Sequence, residues 1–523
     1  MMALPKASLF LPLLCMCFFF TLSSADPTSQ DALRSDLFSV PSSVFVTSLQ
    51  TTLQVVQQIT SIISQFPIGF ADFRVSNAVN DCLELLDLST DHLTSTLAVD
   101  QNPTKKDNAT GNVSFDMKTW LSATLENQET CGAGFDGTNT IVKGLIGGGL
   151  NQVSDLVTQL LTMVKTTPAK SKRGGAPAKS PPSGRGRFPP WVRPNDRKLM
   201  SQGPGGIRVD AVVAKDGTGD FTTIMDAVHS APDRGSNRYV IYIKKGVYKE
   251  SVDIKKKKWN IFMFGDGMNN TIITGSKSFG GGYTTFRSAT FAVSALGFMA
   301  RDLTFENTAG ASNHQAVALR SDSDLSVFYK CGIRGYQDSL YTHTMRQFYR
   351  ECHISGTVDF IFGDATVVFQ DCLILARQGL SNQKNTITAQ GRKIPDQPTG
   401  FSFQFCNFTA DTDLIPNVNS TQTYLGRPWK PYSRTVIMQS YLSNAIRPEG
   451  WLEWNGDFAL DTLYYGEYLN YGPGAGLGRR VKWPGYHALN SSAEAESFTV
   501  GQFIEGNLWL PSTGVKYISG FSV

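Results

Sequence analysis

One short theme returns through the C-terminal half of the chain: Val327-Phe328-Tyr329-Lys330-Cys331, Gln347-Phe348-Tyr349-Arg350-Glu351-Cys352, Val367-Val368-Phe369-Gln370-Asp371-Cys372 and Phe403-Gln404-Phe405-Cys406. Its cysteines stand 21, 20 and 34 residues apart. Short β-branched and aromatic segments that recur about every twenty residues, without helical patterning, are what the coils of a parallel β-helix need. The interval of 34 reads as one coil carrying a long loop, placed over the polar stretch 379–391.

The period sets a register. Equivalent residues on adjacent coils lie about 4.8 Å apart, within the Cα separation a disulfide accepts. The expected pairs are therefore Cys331–Cys352 and Cys372–Cys406; pairing Cys352 with Cys372 would leave the outer two about three coils apart. Asp338 follows Cys331 by seven residues and Asp359 follows Cys352 by seven. The two carboxylates should thus be neighbours, and Gln315 and Gln337 should lie about one coil apart. A lone Asp or Gln between coils most often caps a turn. Two carboxylates this close couple their titrations, and one is pushed upward. Such a split supplies an acid together with a base or nucleophile.

The 523 residues exceed one ordinary core. Lys6, the apolar run over 9–22 and Ser23-Ser24-Ala25 have the layout of a secretory signal cut after Ala25. Residues 26–165 hold 7 Lys/Arg against 15 Asp/Glu. Apolar stripes at helical spacing cross them: Val55, Val56, Ile59, Ile62, Ile63 and Phe66, then Leu150, Val153, Leu156, Val157, Leu160, Leu161 and Val164. A four-helix bundle follows, with Cys82–Cys131 its one available bridge. Residues 166–200 hold 9 Lys/Arg against one acid amid Pro, Gly and Ser, and read as a linker. The fold class expected is an all-β right-handed parallel β-helix over 201–523, preceded by the all-α bundle. An even set of cysteines and the sequons at Asn108, Asn112, Asn269, Asn407, Asn419 and Asn490 suit an exported glycoprotein.

Five blocks carry a resemblance. Gly246-Val247-Tyr248-Lys249-Glu250, Gln315-Ala316-Val317-Ala318-Leu319, Gln337-Asp338-Ser339-Leu340, Asp359-Phe360-Ile361-Phe362-Gly363 and Leu425-Gly426-Arg427-Pro428-Trp429 resemble the signature blocks of the pectin methylesterases, in order and at family-like spacing. Ser339 stands where some members have Thr, and Asp364 where Asn is usual. Asn80-Asp81-Cys82-Leu83-Glu84-Leu85, Lys118-Thr119-Trp120-Leu121-Ser122-Ala123 and Asn127-Gln128-Glu129-Thr130-Cys131 resemble the invertase and pectin methylesterase inhibitor family. Free inhibitors usually carry a second, N-terminal disulfide, for which residues 26–81 hold no cysteine. Arg197-Lys198-Leu199-Met200 resembles the basic processing site of such precursors, read by a protease.

The resemblance implies that Asp359 is the nucleophile, Asp338 the general acid and then base, and Arg427 the partner that orients Asp359. Gln315 and Gln337 would be the amide donors to the oxyanion. Gln315 and Arg427 would also hold substrate, with Phe362, Trp429 and Trp451 lining the cleft. The implied substrate is methyl-esterified homogalacturonan in the cell wall, with no metal, organic cofactor or nucleic-acid partner, and with contact between the helical and catalytic domains. The run 255–258 of four lysines could attract an anionic chain, although solvated turn lysines are as common. The rival enzymes are other pectin-acting β-helices. Polygalacturonase-like Asn-Thr-Asp, Asp-Asp and Gly-His-Gly elements are absent from the sequence. The rival of another class is an inactive regulatory protein acting through its helical domain.

Overall fold

The computed structural model describes residues 37–66, 72–101, 110–138, 140–166 and 207–521. The expected signal segment, nearly all of the expected linker with its processing site, and Asn108 lie outside the described residues. Helices α1 (Ser42–Ser64), α2 (Phe73–Gln101), α3 (Val113–Ala133) and α4 (Val142–Met163) form the N-terminal bundle. The two apolar stripes face its core, except that Ile62 turns outward. Cys82 on α2 is bonded to Cys131 on α3. Helix α3 opens on Asn112, whose side chain accepts from the Phe115 amide, a standard N-cap. It is buried almost all round, polar residues included. A single-sided surface helix would expose those groups; α3 lies between the bundle and the β-helix.

From Ala211 onward the strands stack as coils. Among the described residues they form three wholly parallel sheets of eleven, seven and eight strands. The recurrent theme supplies the interior of the eleven-stranded sheet, where Phe328, Tyr349, Phe369 and Phe403 are register partners. Their rings stack at centroid spacings of 4.7, 4.9 and 4.5 Å, the strand spacing itself. The alternate residues face outward and are covered by the C-terminal segment, where Phe498, Val500, Phe503 and Trp509 pack on Val327, Phe348 and Val368.

The seven-stranded sheet carries the cleft and runs, in spatial order, Thr423–Gly426, Asn385–Gln390, Ile361–Gly363, Leu340–Thr342, Leu319–Ser321, Phe291–Val293 and Val252–Ile254. One row of partners, Asp253, Ala292, Arg320, Tyr341, Phe362 and Ala389, faces away from the core.

Two expectations are corrected. Residues 379–391 are not one loop, because 385–390 is a fully buried strand of the cleft sheet; the added length lies before and after it. The pairs Cys331–Cys352 and Cys372–Cys406 are not bonded: all four are buried free thiols. They do share one register, next to the paired strands. In-register neighbours on parallel strands hold their Cβ atoms parallel, at the strand spacing of about 4.8 Å, beyond the ~3.5–4.5 Å a disulfide requires. The sulfurs of Cys352, Cys372 and Cys406 instead lie against backbone carbonyls of the preceding coil, as Cys352 does against Phe328 at 3.3 Å.

Candidate active site

Each coil enters the cleft sheet through a tight turn, and the two aspartates occupy equivalent positions in successive turns. Their strands pair Leu340 with Ile361, and the Asp338 amide donates to the Val358 carbonyl at 3.1 Å. Both are left-handed, with φ of 62° at Asp338 and 49° at Asp359. Aspartate tolerates that conformation better than most residues. Such backbone strain is common where a side chain must be aimed at a reaction.

Asp359 is held by two side chains, Arg427 and Thr386. Arg427 donates from Nε to Oδ1 at 2.8 Å and from Nη2 to Oδ2 at 2.6 Å, a two-pronged charged pair. The Thr386 hydroxyl donates to Oδ1 at 2.6 Å and accepts from the Asp359 amide at 2.9 Å. The Arg427 guanidinium lies 4.3 Å over the Trp454 ring, which fixes its plane. Burial pushes the Asp338 carboxyl well above the usual range; the charge of Asp359 adds to this and Arg427 opposes it. The two equivalent carboxyls thus have different environments, one bound to a cation and the other dry.

A cavity of about 310 Å³ opens here. Gln315, Gln337, Asp338, Asp359, Phe362, Arg427 and Trp429 all line it. Phe362 stacks on Tyr341 at 4.1 Å and meets Trp429 edge-on at 6.0 Å, giving an aromatic floor. Trp451 is not part of it. It pairs with Gly426 at the end of the row Leu340, Ile361, Thr388, Gly426. That row points into the core, so Trp451 is 1% exposed and stacks on Tyr465 at 4.1 Å. The tryptophan that joins Trp429 in the cleft is Trp454. Asp364 does not reach the cavity either; Gln390, Gln397 and Thr399 donate to its carboxyl.

Thr386 and Trp454 escaped the sequence reading. Thr386 continues the row of Asp338 and Asp359, since Ile361 pairs with Thr388. Counting the coil as 27 residues instead of placing a loop there would have found it.

The fourth wall comes from the helical domain. Glu129, Thr130, Ala133 and Gly134 line the same cavity. Thr130 Oγ1 lies 3.2 Å from the Tyr341 hydroxyl and 2.9 Å from His343 Nε2, while Asp322 holds the other ring nitrogen. Glu129 bridges Lys393 and Lys430. The Arg346 guanidinium is buried between Asp116 of α3 and Asp324 of the β-helix.

Comparison with known proteins decides what this arrangement is. Residues 210–507 match the pectinesterase family model, and residues 12–164 match that of the plant invertase/pectin methylesterase inhibitors. The chain belongs to the pectinesterase family. It is 62% identical to the pectinesterase/pectinesterase inhibitor PPE8B of Prunus persica, over 99% of this chain and 98% of that protein. It is 58% identical to the probable pectinesterase/pectinesterase inhibitor 44 of Arabidopsis thaliana, over 95% and 97%. Among solved structures, pectin methylesterase from carrot is 56% identical with a TM-score of 0.60, covering 60% of this chain and 99% of that chain. The Aspergillus niger enzyme is 29% identical with a TM-score of 0.50, over 59% and 97%. The match spans 99% of the carrot chain and, at 60% of this chain, about the length of its β-helix. The pectinesterase removes methyl esters from the homogalacturonan of pectin, leaving pectate and methanol, and so modifies the cell wall.

Proposed function

We propose that Asp359 attacks the methyl-ester carbonyl of a galacturonate unit, while Asp338 donates a proton to the departing methanol. The attack gives a covalent acyl-aspartate. Asp338, now ionised, takes a proton from the water that attacks the acyl group, and Asp359 is released as a carboxylate. The amides of Gln315 and Gln337 donate to the oxyanion in both steps. The observation that carries this reading is the asymmetry of the pair. Asp359 is gripped by two charged hydrogen bonds from Arg427, whereas burial shifts the Asp338 carboxyl toward its protonated form.

The helical domain, roofing the cavity through Glu129 and Thr130, keeps pectin out until it is removed. Export after cleavage at Ala25, and processing at Arg197-Lys198-Leu199-Met200, would deliver the open enzyme to the wall. Asp359→Ala and Asp338→Ala should each keep the circular dichroism spectrum and lose methanol release from methylated pectin; substantial activity in either variant overturns the assignment. Comparing residues 26–523 with residues 201–523 tests the roof, and equal activity of the two excludes it.

A further inference from the structure

Where the two domains meet, most buried cations find a carboxylate on the other side. Arg346 meets Asp116, Lys393 and Lys430 meet Glu129, and Arg287 meets Asp81. Beside the first turn of α3 this pattern stops. A cavity of about 220 Å³ lies there, walled by Phe115, Lys118 and Thr166 of the helical domain and by Arg392, Asp396 and Arg434 of the β-helix. Three cations from two domains converge on it, and among the described residues none of them makes an ion pair. Lys118 is 7% exposed and Arg392 9%. A cation so buried is ordinarily matched by a carboxylate, because its desolvation is otherwise not repaid.

Each of the three keeps donors free. Arg392 donates from Nε to the Gln397 carbonyl at 3.0 Å and from Nη2 to that of Pro395. Arg434 donates from Nε to the Thr399 carbonyl at 2.8 Å and from Nη2 to those of Pro398 and Thr399. These bonds fix both guanidinium planes and use the same two nitrogens. Neither Nη1 has a protein acceptor among the described residues, and neither is sealed away from solvent. Lys118 Nζ donates to the Thr166 hydroxyl at 3.0 Å, and its other protons remain available. The nearby acids do not close the site. Asp364 accepts from Gln390, Gln397 and Thr399 instead, and Asp396 acts on Lys118 and Arg392 only through space. Burial pushes Lys118, Arg392 and Arg434 below their ordinary values, and the charge of Arg392 adds to this at the other two.

We propose that this pocket between α3 and the β-helix is an oxyanion-binding site for a compact, doubly charged anion of the sulfate or phosphate class. Positive groups approach it from both domains, with the two guanidiniums already oriented for charged hydrogen bonds. The volume holds one tetrahedral anion with bridging water. Such an anion supplies the counter-charge that the protein omits here, and it touches helix and β-helix at once. The site shares no residue with the cavity at Asp359 and stands independently of the esterase reading.

The test is calorimetric titration of residues 26–523 with sulfate, at constant ionic strength so that screening does not change. One sulfate should bind per chain, and acetate, with a single charge, about tenfold more weakly. Lys118→Gln should weaken sulfate binding about tenfold, and Lys118→Arg should restore most of the loss. Asp396→Asn removes an acid from the pocket wall and should tighten binding about threefold. Absence of sulfate binding, acetate bound as tightly as sulfate, or equal affinity in the unsubstituted chain and Lys118→Gln overturns the site. Should Lys118→Gln lose its circular dichroism spectrum, Asp396→Asn decides alone, and an unchanged affinity there overturns the proposal.

Discussion

At the scale of single residues, the site depends on how Asp359 is held. Arg427→Lys keeps the charge but loses the two-pronged geometry and the face that lies on Trp454. Its kcat should fall about a hundredfold with KM nearly unchanged, as expected for an orienting contact in the transition state. Gln337→Ala should lower kcat by about 10²–10³, the usual consequence of deleting one oxyanion donor. Thr386→Val removes the 2.6 Å bond to Oδ1 while keeping the shape; steady-state methanol release should show kcat reduced about tenfold or more. For Asp338 the sign is definite. Its carboxyl is raised, so the acid form persists through the weakly acidic range and is lost as pH climbs through the raised value. The rate of acylation should therefore fall on the alkaline side, and a pre-steady-state pH profile would measure it. The sequence made Gln315, Gln337, Asp338, Asp359 and Arg427 legible because they lie in short uninterrupted blocks. Thr386 was not legible, because its coil is longer than its neighbours.

At the scale of elements, the cleft is only as rigid as the ladders behind it. Phe369 stacks on Tyr349 and Phe403 in the interior. Phe369→Ala should lower unfolding free energy by about 3–5 kcal/mol, the cost of a large buried cavity, read from urea denaturation. The four thiols lead to a different expectation. Because Cys331, Cys352, Cys372 and Cys406 are unbonded, reductant should leave the melting of residues 201–523 unchanged. In the full chain, reduction should act on the bundle through Cys82–Cys131, by about 2–5 kcal/mol. Spacing placed those four cysteines in one column correctly. It did not decide bonding, because Cα separation satisfies the geometric rule while parallel Cβ vectors do not. Trp451 shows the same kind of limit: which face of the strand it takes depends on pairing with Gly426.

At the scale of the whole molecule, two acids meet across the domain interface. Glu126 of α3 is fully buried, and its carboxyl is raised by burial first and then by Asp364 and Glu129, with Lys393 and Lys430 opposing. Burial raises Asp364 to about 6, against donors from Thr399 and Gln397 and the charge of Arg392. Groups raised in the docked state stabilise it below their free values, and that contribution is lost as pH rises through the docked ones. The helical roof should therefore hold tighter in acid and loosen across the range in which Glu126 ionises. The activity of residues 26–523 relative to 201–523 should rise across that range, and Glu126→Gln should flatten the rise. By itself the sequence determined the period of the coils, hence the neighbourhood of Asp338 and Asp359, and the helical stripes of the bundle, because both follow from local side-chain spacing. Only the tertiary structure decided where unequal coils re-enter the sheet, which tryptophan faces the cleft and what lies over it. Those outcomes depend on pairing partners distant in the chain and on charges, such as Asp81 with Arg287, whose complementarity exists only once both domains have folded.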